Sequence, residues 1–465
     1  MFKHIFTNAF GILVSRILGF VRDMLTASVL GANLYSDIFF VAFKIPNLFR
    51  RIFGEGAFTQ TFLPAFTRSK SKALFATRLL LGFSVVIFAL TLLVQLFPLT
   101  ATHLIAWGFS DEAKSITAPY VAINFWYLIL IFWVTFLSAL LHYRHHFATT
   151  AFGTALLNIA LIVALLLARE KSQALIVTYL SWGVVAGGAL QLLAHIAAVR
   201  GVRMHRLLIG GVRYFRSKSA RVSVEMRAFN RRFLPAMWGN ATPQISAFLD
   251  TILASFLATG AISYLYYANR VFQLPLALFA IATSVALFPA ISRAIKNGNN
   301  AHTHIQKAFW FLMFTLSASV LGGVLLAQEI VSLLFERGAF DATARHETAW
   351  VLIMYLIGLL PFGLSKLFLL TLYAQQAQHT AAKIATVTLS ANMLFSVALM
   401  IPYGAAGLAL ASTIGGFVQF VLVVRFYTWA KFKALFDPKM VLLLVGALGV
   451  LALMLWAFKA FVLPH

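Results

Sequence analysis

Ser15-Arg16-Ile-Leu-Gly-Phe-Val-Arg22-Asp23, followed by Ser36-Asp37-Ile-Phe-Phe-Val-Ala-Phe-Lys44-Ile-Pro46-Asn-Leu-Phe-Arg50-Arg51-Ile-Phe-Gly-Glu55, decides the fold of this chain. Eight charged residues, Arg16, Arg22, Asp23, Asp37, Lys44, Arg50, Arg51 and Glu55, sit inside two segments apolar enough to cross a bilayer. A charge at mid-membrane costs about 2.5–3.5 kcal/mol on insertion scales, so such residues face a wet cavity and mark a transport path. Five of the eight are cations. A surplus of positive charge in such a cavity points to a substrate that brings its own negative charge.

The rest of the chain supports a membrane reading. Of 465 residues, 61% are hydrophobic and only 11% charged, where a soluble chain carries about 25% charged residues. Mean hydropathy is +0.88. The absence of cysteine excludes disulfides, thiolate metal sites and a cysteine nucleophile. The N-terminal apolar run contains Arg16 and Arg22 and lacks a small-residue cleavage site, so it reads as a retained first span.

A spanning helix needs about 20 mostly apolar residues. Thirteen such runs are expected, near 5–30, 34–53, 74–99, 117–142, 147–168, 174–199, 232–258, 262–291, 307–334, 348–374, 382–401, 405–429 and 440–462. With the N-terminus in the cytoplasm, alternation places most loop Lys and Arg inside, while Asp111, Glu112, Glu336 and Asp341 fall outside. This bias also explains the net charge of +24. The basic stretch Arg200–Arg232 reads as a topology anchor beside anionic lipid, and no nucleic-acid partner is expected.

An internal repeat restarts at the seventh span. Asp23-Met-Leu-Thr-Ala-Ser-Val-Leu30 resembles Asp250-Thr-Ile-Leu-Ala-Ser-Phe-Leu257. Ile45-Pro46 answers Leu274-Pro275, and Phe62-Leu-Pro-Ala-Phe-Thr-Arg68 answers Phe288-Pro-Ala-Ile-Ser-Arg293. Six spans per unit is an even number, so both units point the same way through the membrane. Parallel repeats of this kind are a transporter architecture with the substrate near the midplane between halves. The expected organisation is an N-terminal six-helix lobe (1–200), a basic cytoplasmic linker (201–231), a C-terminal six-helix lobe (232–430) and an additional transmembrane helix (431–465).

Helical spacing groups the charges. Seven residues is close to two turns, so Ser15 lies over Arg22 and Arg16 over Asp23 in the first span. Asp37, Lys44 and Arg51 recur every seven residues in the second, and Glu55 follows Arg51 by four. Each span thus carries a polar stripe. Pro46 and the Gly54-Glu55-Gly56 turn are expected to interrupt the second. Pairing of Arg22 with Asp23 or of Lys44 with Asp37 is the competing structural explanation. It leaves cations in excess, and Arg270 in the eighth span adds another. Arginine suits bidentate phosphate binding, so a phosphate or pyrophosphate ligand fits.

Enzyme readings find no support in the motifs. No phosphate-binding Gly-x4-Gly-Lys-Ser/Thr loop, His-Glu-x-x-His pair or serine elbow is present. His142, His145 and His146 have metal-like spacing but sit beside Arg144 at a loop, where loop polarity explains them. Asp250 is an acid expected within the spans of the second repeat, and ion coupling and a capping or paired role stand level for it.

Together, the motifs in 15–60, Tyr266-Tyr-Ala-Asn-Arg270-Val-Phe-Gln-Leu-Pro275, Leu287-Phe-Pro-Ala-Ile-Ser-Arg293 and Phe335-Glu-Arg-Gly-Ala-Phe-Asp341 resemble the MurJ (MviN) lipid II flippase family, over residues 1–430. The resemblance implies an all-α polytopic fold of the multidrug/oligosaccharidyl-lipid/polysaccharide exporter type, with two six-helix lobes in a V and a C-terminal helix. It implies translocation, not catalysis, of lipid II, an undecaprenyl-pyrophosphate-linked peptidoglycan precursor, across the bacterial cytoplasmic membrane. Arg16, Arg22, Arg50 and Arg270 match the family's cavity arginines, with Ser15, Lys44 and Arg51 as further substrate contacts. Asp23, Asp37 and Glu55 match its charged motif positions and are expected to act as gate or counter-charge residues.

The implied partners are lipid II, membrane lipids and proteins of peptidoglycan synthesis and division, with the monomer as functional unit. No cofactor is expected, and coupling is left to membrane potential, H+ or Na+. This chain departs from the family pattern in places. Asn269 and Gln273 stand where acids are common, and Tyr373-Ala-Gln-Gln-Ala-Gln-His-Thr380 lacks an acid seen in many relatives. One span, not two, follows the twelfth, which implies an abbreviated groove for the prenyl tail.

Overall fold

A computed structural model describes residues 2–51, 58–218, 222–297 and 302–461, and within these the side chains outside 2–9, 216–218 and 238–243. Glu55 and the Gly54-Glu55-Gly56 turn lie outside the described residues. Every regular element among those described is helical. The chain parts into two compact units, Met1–Phe256 and Leu257–His465.

Unit 1 contains α1 (Phe2–Leu30), α2 (Leu34–Phe49), α3 (Phe58–Arg68), α4 (Lys72–Leu96), α5 (Pro98–Ile105), α6 (Asp111–Tyr143), α7 (Ala148–Ala168), α8 (Gln173–Gly201), α9 (His205–Lys218) and α10 (Ser223–Ala254). Asn33 caps α2: its side chain accepts from the Tyr35 and Ser36 amides, while its own amide donates to Ser36 Oγ. This reciprocal box satisfies donors that a helix start leaves open. Within the unit, α7 packs against α1 and α8, while α6 packs against α2, α4 and α8.

A phenylalanine cluster brings α10 onto this unit. Phe58, Phe62 and Phe66 recur at one-turn spacing on α3, and Phe229 and Phe233 do so on α10. Phe58 lies 6.2 Å from Phe229 and 6.1 Å from Phe233, and Phe75 lies 6.1 Å from Phe229. Such offset and edge-on pairs add about 0.5–1.5 kcal/mol each beyond their buried area. Polar contacts hold both ends of the helix. Ser69 Oγ donates to Glu225 at 2.5 Å, Arg78 donates to Ser223 Oγ at 2.9 Å, and the Gly108 amide donates to Ser255 Oγ at 2.9 Å.

Unit 2 contains α11 (Ala261–Pro275), α12 (Ala282–Lys296), α13 (His302–Leu325), α14 (Ala327–Phe335), α15 (Ala342–Ile357), α16 (Leu359–Ala374), α17 (Gln378–Tyr427), α18 (Trp429–Lys433) and α19 (Pro438–Phe461). The α17 span is two helices meeting at Gly404, whose φ of 55° and ψ of −133° no side-chain-bearing residue adopts readily. That break falls between the runs expected at 382–401 and 405–429. Residues 348–374, expected as one run, break at Gly358 into α15 and α16. The Gly358 amide bonds Tyr355 O, and Thr413 Oγ1 donates to Met354 O at 2.6 Å, so the kink leaves that carbonyl satisfied.

The repeat survives in local geometry. α2 continues through Pro46 rather than breaking there, and a π-type turn follows at 50–51. In α11 the equivalent Pro275 is followed by a π-helical stretch, Leu276–Ile281, before α12. A proline removes one ladder donor and crowds the carbonyl four residues back, and in each helix the widened turn follows it.

Nine helical stretches among the described residues are long and apolar enough to cross a membrane. α19 is the plainest, with Leu442, Leu453 and Trp456 each more than two-thirds exposed and Leu444 its one buried residue. It leans on α13, and Lys459 near its end pairs with Glu329 of α14 at 2.7 Å. Of the helices carrying the motif charges, α1, α2 and α10 stand outside those nine, while Arg270 lies within one of them, Ala261–Lys296. Short helices α3, α5, α9 and α18 occupy segments between the expected runs, and the run expected at 307–334 divides into α13 and the short α14.

Candidate functional site

The polar stripe of α1 is turned partly into the protein. Ser15 and Asp23 are buried, Arg22 is half-buried and Arg16 is exposed. The reason lies on α7, which presents Thr154 and Asn158 one turn apart. Ser15 Oγ and Thr154 Oγ1 share a hydrogen bond of 2.5 Å. Asn158 Nδ2 donates to the Ser15 carbonyl at 2.9 Å, and Arg22 Nη1 donates to Asn158 Oδ1 at 3.0 Å.

Arg22 also pairs with Asp23, its Nε and Nη2 reaching Oδ1 at 3.1 and 2.6 Å. The guanidinium is 13% exposed and the carboxylate 4%. A pair this deep survives desolvation only with good geometry and further hydrogen bonds, which Asn158 helps to supply. The structural pairing weighed from the sequence is therefore real for Arg22 and Asp23. It does not bury the cation completely.

On α2, Ser36 through Ala42 is buried throughout, so Asp37 is enclosed at 3% exposure rather than lying on a wet stripe. The helix opens further on: Lys44, Arg50 and Arg51 are all half-buried. Arg50 Nε donates to Asn47 Oδ1 at 3.1 Å from the π-type turn after Pro46. Tyr127 of α6 is fully buried in the same unit, and its hydroxyl donates to Gln191 Oε1 at 3.3 Å. Asp250, near the end of α10, is half-buried.

Arg270 belongs to unit 2. Its Nη2 donates to the Tyr266 hydroxyl at 2.8 Å, and the guanidinium carbon lies 4.7 Å over the same ring. A tyrosine one turn earlier thus positions the arginine without adding an opposite charge. Gln273 donates from its amide to Asn269, which occupies the two acid positions with a neutral pair.

Three residues do not figure among those singled out by the sequence. Asn158 and Thr154 are uncharged, yet an amide and a hydroxyl at one-turn spacing in the otherwise greasy α7 are the signal that finds them. Lys366 on α16 is exposed although its neighbours Ser365 and Leu367 are fully buried. A lysine inside an apolar run of 33 residues meets the same criterion that singled out Arg270.

The comparisons agree with this architecture. Residues 26–463 match the family described as lipid II flippase MurJ. A probable lipid II flippase MurJ of Helicobacter pylori is 47% identical over 447 residues, covering 94% of this chain and 97% of that protein. In fold, the chain is similar to a lipid II flippase MurJ solved in an inward closed conformation. The TM-score is 0.79 at 23% identity, over 98% of this chain and 99% of that one. It is also similar to an inward-facing multidrug resistance MATE family transporter of the MOP superfamily, with a TM-score of 0.68 at 12% identity over 90% and 95%. A match spanning nearly the whole chain, on a helical fold with cationic membrane helices, leads to one conclusion: the chain belongs to the lipid II flippase MurJ family.

Proposed function

We propose that this chain is a transporter that moves lipid II from the inner to the outer leaflet of the bacterial cytoplasmic membrane by alternating access. Membership of the flippase family along residues 26–463 is the observation that carries this reading. The half-buried arginines give it a chemical basis. A lipid-linked pyrophosphate is an anion that must leave water, and fixed guanidinium groups replace its hydration with charge-assisted hydrogen bonds.

In this reading Arg16, Arg22, Arg50 and Arg270 receive the pyrophosphate, with Ser15, Lys44 and Arg51 beside them. Asp23, Asp37 and Glu55 serve as counter-charges that hold arginines in one state and release them in another. The N-terminus faces the cytoplasm, and thirteen crossings, the last of them α19, bring the C-terminus to the outside. Membrane potential or H+ supplies the drive, with Asp250 as the candidate coupling carboxylate.

The test is replacement of the native gene by Arg16→Ala, Arg22→Ala and Arg270→Ala variants, with lipid II exposed at the outer leaflet as the readout. Each variant is expected to accumulate lipid II inside and to fail to support growth at normal protein levels. Normal export by all three overturns the assignment of the cationic site.

A further inference from the structure

We propose that Asn158 is a positioning residue that sets the orientation of the Arg22 guanidinium for anion binding. The inference rests on the reading above, in which Arg22 receives the pyrophosphate. Its basis is the directionality of the amide. Asn158 Oδ1 accepts from Arg22 Nη1, and Nδ2 donates to the Ser15 carbonyl, so each end of the side chain meets the group it is built to bind. The amide cannot turn over without losing both bonds, and at 7% exposure no water replaces them cheaply.

The guanidinium is gripped at two places on its rigid plane. Asp23 takes Nε and Nη2, and Asn158 takes Nη1. The carboxylate supplies attraction but also cancels charge. The amide fixes the third nitrogen without cancelling any. A neutral acceptor at this position therefore orients the cation while preserving its attraction for phosphate, which a second carboxylate would not do.

Gly19 makes this geometry accessible. The Ser15 carbonyl accepts the Gly19 amide within the helix, and a Cβ on residue 19 would stand 3.3 Å from Asn158 Nδ2. Without that Cβ, the asparagine approaches the α1 backbone and reaches the second lone pair of the same carbonyl. Arg22 is thereby keyed to the packing of α7 on α1, so a shift between these helices turns the guanidinium.

The experiment measures lipid II binding by the full-length protein in lipid nanodiscs, alongside its thermal stability. Asn158→Ala is expected to weaken binding about tenfold, the loss of one hydrogen bond to a charged group. Combined with Arg22→Ala, it adds no further loss, because it acts through that arginine. A residue that merely packs α7 against α1 adds its defect to that of Arg22→Ala, and additive effects overturn the inference. Should the alanine variant fail to fold, near-isosteric Asn158→Asp carries the test. Its carboxylate opposes the Arg22 charge, so binding falls at least as far, and unchanged binding overturns the proposal. Normal binding by Arg22→Ala removes the site reading and the inference with it. Normal binding by Asn158→Ala beside a defective Arg22→Ala removes the inference alone.

Discussion

Arg22 and Arg270 are both arginines of the charged motifs, yet they are held in opposite ways. Arg22 is tied to a carboxylate on its own helix and to an amide on α7. Arg270 rests on the ring and hydroxyl of Tyr266, one turn back on α11. The first grip joins two helices and removes part of the charge, whereas the second stays within one helix and is neutral. Arg22 is thus sensitive to how α1 and α7 pack, while the contact of Arg270 with Tyr266 is set within α11.

The sharpest way to break this contrast is to remove the carboxylate. Asp23→Ala leaves a half-buried guanidinium without that partner and should cost about 3 kcal/mol of stability, read as a lowered unfolding temperature in detergent. Lysine replacements test the geometry rather than the charge. Arg22→Lys gives up the planar fork that reaches both Asp23 and Asn158, so lipid II binding should weaken by about 2 kcal/mol. Arg270→Lys keeps a cation over the Tyr266 ring and should cost less than about 1 kcal/mol in the same assay. Equal losses would erase the distinction. The smallest effect belongs to Tyr266→Phe, which keeps the ring and drops the hydroxyl. A loss of about 0.5 kcal/mol in binding is expected, and a loss matching Arg270→Ala would show the hydroxyl to be the dominant contact.

Much of the fold was legible because membrane helices announce themselves locally. Runs of apolar residues placed the helices, and the Pro46 and Pro275 pair exposed the repeat, which the structure marks with a π-type turn after each proline. The charges of α1 and α2 were legible by their cost. What the sequence could not convey was choice of partner. Phe229 and Phe233 carry no sign that they will meet Phe58 and Phe75 rather than helices of their own repeat. Nor does Asp37, spaced like a stripe residue with Lys44, reveal that neighbouring helices enclose it. Asn158 was passed over because polarity without charge is a weak signal until the opposing Arg22 is known. The short helices between spans escaped because they are too short to cross a bilayer, which was the signal that placed the others.

The placement of α10 has a consequence for how the chain could be divided. By ancestry suggested in the repeat, this helix opens the second half, yet its phenylalanines and its Ser69, Arg78 and Gly108 contacts belong to the first unit. A backbone cut ahead of Ser223 would strip the cover from Phe58 and Phe75 and leave a sticky fragment. A cut after Phe256 would leave α10 on the unit whose phenylalanines it covers. The natural seam of the polypeptide therefore lies one helix later than the seam of its duplication.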